Sequence, residues 1–170
     1  DRTAEALMLG AALYNRKIEL QQVYIRQKSN QFTLSGDAAL PATSAEWLRP
    51  DFRGNISASI NQLGEFLALF GANSADFAGK ISIQGSMNTH ARDFGGSLAI
   101  EGDSLTFFKY DIDSFRADVT LKPSELEIER FDLVRKKDSL SGEGRIDLSP
   151  EHKYSGTLDA WTNDLRDYVS

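Results

Sequence analysis

The chain has 170 residues, 41% hydrophobic and 26% charged, a composition typical of a folded globular protein. Its 25 acidic and 19 basic residues give a net charge of −6, which argues against binding to the phosphate backbone of nucleic acids. The absence of cysteine excludes disulfide bonds and thiol catalysis. No stretch approaches the ~18–20 apolar residues of a transmembrane helix.

The first predicted elements are strands with one apolar face. Side chains of successive strand residues point to opposite faces of a sheet, so an apolar or small residue at every second position indicates a half-buried strand. A helical turn is predicted over residues 44–48, with Ser44 as its N-cap and Pro50 limiting its extension. The apolar positions before it are Leu7, Leu9, Ala11, Leu13, Ile18, Leu20, Phe32, Leu34, Gly36, Ala38 and Leu40.

The rest of the chain continues this pattern, interrupted by two short helices. Residues 62–70 place Leu63, Phe66, Leu67 and Phe70 on one stripe of an amphipathic helix, and a second helix is predicted over residues 163–169. These helices are too short to cover the apolar face of some ten strands. That face must be covered by a second sheet, by the sheet curling onto itself, or by another molecule. The remaining apolar strand positions are Gly54, Ile56, Ala58, Ile60, Phe77, Gly79, Ile81, Ile83, Gly85, Met87, Phe115, Ala117, Val119, Leu121, Leu140, Gly142, Gly144, Ile146, Leu148, Gly156, Leu158 and Ala160.

An internal repeat organises these strands. Apolar residues from Leu7 to Ile25 match those from Phe115 to Leu133 at a constant offset of 108, and both copies break strand phase at the same place, through residues 21–22 and 129–130. Leu34 then matches Leu140 at an offset of 106, and residues 54–58 match residues 156–160 at an offset of 102. We therefore predict one continuous repetitive β segment over residues 1–170, with copies at residues 1–70 and 109–170 joined by strands in residues 71–108.

The segments at residues 52–70 (FRGNISASINQLGEFLALF), 77–87 (FAGKISIQGSM) and 95–107 (GGSLAIEGDSLTF), continuing through residues 112–148, resemble the TamB/AsmA-like family of large bacterial envelope proteins. The resemblance implies a mainly β fold: an elongated, curved, β-taco-like sheet with an apolar concave groove and a few short helices. It also implies that the chain is a piece of a larger periplasmic protein, anchored in the inner membrane by a segment outside the residues given. Family ties to outer-membrane protein assembly imply a possible assembly partner.

The function implied by the resemblance is non-catalytic lipid transfer, in which phospholipid acyl chains move along the groove between the inner and outer membranes. No catalytic, cofactor-binding or metal-binding residue is predicted. His90 and His152 have no partner at metal-ligand spacing, and the acidic pair of Asp111 and Asp113 has no accompanying phosphate-binding loop. The residues predicted to line the lipid groove are Ile56, Ala58, Ile60, Phe77, Ile81, Ile83, Leu98, Ile100, Val119, Leu121, Ile146 and Leu158.

The same apolar pattern has a second interpretation, a structural or interaction module with the dry core of a β-sandwich. Two sheets ~10 Å apart favour large interdigitating side chains, whereas the apolar face here alternates glycine and alanine with larger residues. These small residues leave volume and permit a strong bend, which favours a groove.

Overall fold

The computed structural model describes residues 4–40, 51–90, 93–149 and 153–163. In these residues ten strands form one open, curved antiparallel sheet, in which strand order follows sequence order and strands account for 76%. The predicted mainly β class and the curved sheet are confirmed. The strands are β1 (Ala6–Tyr14), β2 (Lys17–Gln27), β3 (Asn30–Ala39), β4 (Phe52–Ile60), β5 (Phe77–His90), β6 (Asp93–Phe107), β7 (Tyr110–Lys122), β8 (Glu125–Arg135), β9 (Asp138–Asp147) and β10 (Tyr154–Trp161).

One α-helix, α1 (Leu63–Ala68), follows β4, and a 3-10 turn (Ser74–Asp76) leads into β5. The sequence predicted this helix over residues 62–70, and the helix is shorter because the chain turns after Ala68. Leu63 and Phe66 are buried as the amphipathic stripe requires, whereas Phe70 stays exposed and contacts the Phe66 ring edge-on. The helices predicted at residues 44–48 and 163–169 lie outside the described residues, apart from Asn163.

Strand pairing shows where the alternation changes phase. The β2–β3 register shifts between Leu20 and Val23, and the β8–β9 register shifts between Ile128 and Phe131. These β-bulges contain residues 21–22 and 129–130, so the predicted breaks of phase are confirmed. One detail of the sequence alignment is wrong. Since Val23 pairs with Leu34 and Phe131 pairs with Gly142, the offset between β3 and β9 stays at 108 and does not fall to 106.

Two glycines let neighbouring strands approach closely. A Cβ atom on Gly36 would lie 2.2 Å from the carbonyl oxygen of Arg53, and the residue paired with Gly36 is itself a glycine, Gly54. Gly79 has a φ of +99°, and its Cβ would lie 2.3 Å from the carbonyl oxygen of Ser104. Side chains at these positions would force the strands apart, so glycine permits this close approach.

Candidate functional site: an apolar groove with a packed part and an open part

The apolar face of the sheet is packed along one part of its strands by α1. Ile60 is 4% exposed and Leu105 is 3% exposed, and both belong to one cluster with Ala58 and the helix residues Leu63 and Phe66. Phe77, Ile81, Ile83, Phe107, Ile112 and Phe115 are partly buried against this cluster. The helix therefore gives this part of the groove a dry core.

A buried asparagine at the start of β3 holds the N-terminal end of α1. The Asn30 side chain is fully buried, and its Oδ1 atom accepts hydrogen bonds from the backbone N–H groups of Asn61 and Gln62, each at 2.9 Å. Its Nδ2 group donates to the Gln62 carbonyl oxygen. Gln62 precedes the helix but makes no side-chain cap of its own, so the cap comes from a residue that is distant in sequence. A salt bridge of 2.7 Å between Lys28 and Glu65 also links the turn between β2 and β3 to the helix.

Within the described residues, the other part of the groove is open. A cavity of about 610 Å³ lies there, bordered by seven consecutive strands from β2 to β8. This volume is within the range of about 300–1,000 Å³ that is usual for small-molecule sites. Polar residues of the opposite phase, including Asp37 and Arg53, also border it. The larger apolar lining residues are Ile18, Leu20, Leu34, Phe52, Ile56, Met87, Leu98, Val119, Leu121 and Leu126.

The structure distributes the predicted groove residues over both parts of the apolar face. Four of them, Ile56, Leu98, Val119 and Leu121, line the open cavity. Five lie in or against the cluster beneath α1: Ala58, Ile60, Phe77, Ile81 and Ile83.

The other three predicted residues lie between these parts or near the end of the sheet. Ile100 pairs with Ile83 and Ala117, and Ile146 pairs with Leu126 and Tyr154. Leu158 is 68% exposed on the edge strand β10. A role of all twelve residues in lipid contact stays a prediction.

Several lining residues were not among those predicted, notably Ile18, Leu34, Phe52, Met87 and Leu126. A usable signal was present, because Ile18, Leu34 and Met87 were already among the predicted apolar strand positions. Phe52 is in phase with Gly54 and Ile56, and Leu126 matches Ile18 in the repeat. What the alternation did not reveal is which part of each strand α1 covers. That depends on the Asn30 cap and on the packing of the helix.

The opposite face of the sheet is polar and carries cross-strand ion pairs. Arg116 lies 3.2 Å from Glu101 and 3.3 Å from Asp118, measured between nitrogen and oxygen atoms. Hydrogen bonds from Lys122 and Arg145 lower the pKa of the Glu127 carboxyl below its ordinary value. The basic partners Arg116 and Arg145 are largely exposed, so this face is a solvated surface on which ion pairs add little to stability.

The acidic pair singled out in the sequence serves local structure. Asp113 accepts a hydrogen bond from the backbone N–H of Lys136 in the β8–β9 turn, and Asp111 accepts one from the Thr106 hydroxyl group at 2.9 Å. Among the described residues, no group of three or more histidine, aspartate or glutamate side chains is arranged to hold a metal ion. Within the same residues, neither helical segment has the length and apolarity of a membrane span.

No protein-family model, curated protein or solved structure matches this chain. The resemblance to the TamB/AsmA-like family therefore rests on the sequence pattern alone and stays a prediction.

Proposed function

We propose that this chain binds lipid acyl chains in the open part of its groove and is a segment of a bridge-like periplasmic protein that transfers phospholipid between membranes without catalysis. The observation that carries the proposal is the cavity of about 610 Å³ bordered by strands β2 to β8. No part of the described chain fills it.

The energetics of the cavity suit an acyl chain. Each buried methylene group contributes about 0.8 kcal/mol, so ten methylene groups contribute about 8 kcal/mol before the cost of immobilising the lipid. The lining residues repeat from strand to strand with similar chemistry, so an acyl chain would meet nearly equivalent positions along the groove. Such a surface favours sliding over tight binding at one place, as transfer requires.

A matched pair of variants tests the proposal. Ile56 lines the cavity, whereas its neighbour Ser57 is exposed on the polar face. Ile56→Asp would place a carboxylate among acyl chains at a large desolvation cost, and Ser57→Asp makes the same chemical change away from them.

The purified protein is incubated with vesicles of phosphatidylethanolamine, separated from them and examined by native mass spectrometry. We expect bound lipid on the unmodified protein and on Ser57→Asp, and at least tenfold less on Ile56→Asp. Absence of lipid from the unmodified protein, or equal loading of both variants, would refute the proposal.

A second candidate function is a structural or interaction module, and the packed part of the groove favours it. There α1 fills the apolar face with Leu63 and Phe66, as a dry core does. On this hypothesis the sheet is a rigid element that supports outer-membrane protein assembly or envelope integrity, and the experiment above finds no lipid.

A further inference from the structure

Among the residues that the structure describes, β1 is an edge strand without the usual protection. In the described chain, β1 pairs with β2 on one side and with no strand on the other. Its nine residues include no charged residue and no proline, and Leu7, Leu9 and Leu13 are 70%, 72% and 69% exposed. Exposed edge strands usually carry charges or proline, because their free N–H and C=O groups otherwise recruit another strand.

The β1–β2 hairpin has the same register as the β7–β8 hairpin. Leu7 pairs with Ile25 as Phe115 pairs with Leu133, and Leu13 pairs with Ile18 as Leu121 pairs with Leu126. The register also shifts at the same place in both, between residues 10 and 11 and between residues 118 and 119. Adding 108 to both residue numbers of a β1–β2 pair gives the corresponding β7–β8 pair, so β1 is the counterpart of β7.

The free side of β1 corresponds to a side of β7 that is occupied. There β6 pairs antiparallel with β7, and three of the four groove-face pairs set a small residue against a large one. Gly96 opposes Leu121, Leu98 opposes Val119, Ile100 opposes Ala117 and Gly102 opposes Phe115. Transferred to β1, the same strand would place glycine opposite Leu13 and Leu7, leucine opposite Ala11, and isoleucine opposite Leu9. On the groove face, Leu7 and Leu13 would thus each face a glycine, whereas Leu9 would face an isoleucine.

We propose that the free edge of β1 is a docking site for an added antiparallel strand whose alternate residues follow the glycine–leucine–isoleucine–glycine pattern of β6. The equivalence of β1 and β7 in the repeat, together with the observed β6–β7 pairing, supports this inference, which does not depend on lipid binding. A second copy of the chain does not offer its own β6 as the occupant, because that strand is already paired with β5 and β7. The partner is therefore an otherwise unpaired extended segment of this composition.

A labelled peptide with the sequence of residues 93–107 tests the proposal by fluorescence anisotropy against the whole chain. A control peptide has neighbouring residues of the segment 96–103 exchanged pairwise, so that serine and glutamate take the apolar phase. Leu9→Lys places a charge on the β1 edge, and Leu158→Lys places one at a similarly exposed position, 68%, on the opposite edge strand β10. We expect saturable binding that weakens at least tenfold with Leu9→Lys or the control peptide and changes less than twofold with Leu158→Lys.

Hydrogen exchange on the unmodified chain gives a second measurement that does not depend on how the variants fold. The peptide should slow exchange in residues 6–14 and leave residues 154–161 unchanged. Absence of binding, equal loss in both lysine variants, or protection centred on β10 would overturn the proposal. A β1-to-β1 dimer that the peptide does not dissociate would also overturn it.

Discussion

The seating of α1 depends on one buried side chain, and Asn30→Ala tests this dependence. The substitution removes the fully buried Oδ1 atom that accepts from the backbone N–H groups of Asn61 and Gln62. Leaving a buried donor without a partner costs about 1–3 kcal/mol. Both N–H groups are only partly buried, so we take the low end for each and expect a loss of roughly 2–3 kcal/mol. For a chain of this size, that lowers the melting temperature by about 4–12 °C.

Asn61→Ala is the matched control for this change. It removes the same atoms from the residue just before Gln62, but the lost hydrogen bond, from Nδ2 to the Ser29 carbonyl oxygen, is exposed and water can replace it. We expect less than about 0.5 kcal/mol for it. Urea unfolding followed by far-ultraviolet circular dichroism measures both variants. If Asn30→Ala lies within ~0.5 kcal/mol of Asn61→Ala, the remote cap does not hold α1 and our account of the packed part fails.

Three further predictions concern the groove, the polar face and the backbone. Ile60→Ala should lower the free energy of unfolding in urea by about 3–4 kcal/mol and Ile56→Ala by about 1–2 kcal/mol, because only Ile60→Ala opens a new cavity. Equal losses would contradict the division of the groove into a packed and an open part. The lowered pKa of Glu127 stabilises the fold fully above the ordinary value of 4.5, and this stabilisation is lost as the pH falls through the lowered pKa. Glu127→Gln should therefore make the melting temperature depend less on pH below 4.5. An unchanged slope would argue against this prediction. Gly79→Ala should destabilise the protein more than Gly71→Ala, since both glycines have positive φ but only at Gly79 would the added Cβ lie within 4 Å of backbone atoms. Thermal melts that rank the two variants the other way would refute this.

The strands were predictable because their signal is local. Alternation fixes which side chains share a face, and a doubled polar pair such as Gln21 and Gln22 interrupts it where the extra residues of a bulge must go. The same local logic located α1, since Leu63 and Phe66 are spaced for one helical face.

The division of the groove was not predictable, because it depends on contacts between residues far apart in sequence. Asn30 appears in the sequence as one polar residue in a turn, and nothing local shows that it binds the backbone 31 and 32 positions later. The exposure of Phe70 has the same origin, because the helix ends where the chain turns toward β5. The alternation that placed Ile56 and Ile60 on one face could not show that only Ile60 is covered.

Site-specific photo-crosslinking determines whether lipid occupies the open part of the groove. A photoreactive amino acid replaces either Met87, which lines the cavity and is 48% exposed, or Gln84, which lies on the polar face of the same strand. Each protein is irradiated with phosphatidylethanolamine vesicles, and covalent lipid adducts are measured by mass spectrometry. We expect a phospholipid adduct at position 87 and none at position 84. Equal adducts at both positions, or none at position 87, would contradict it.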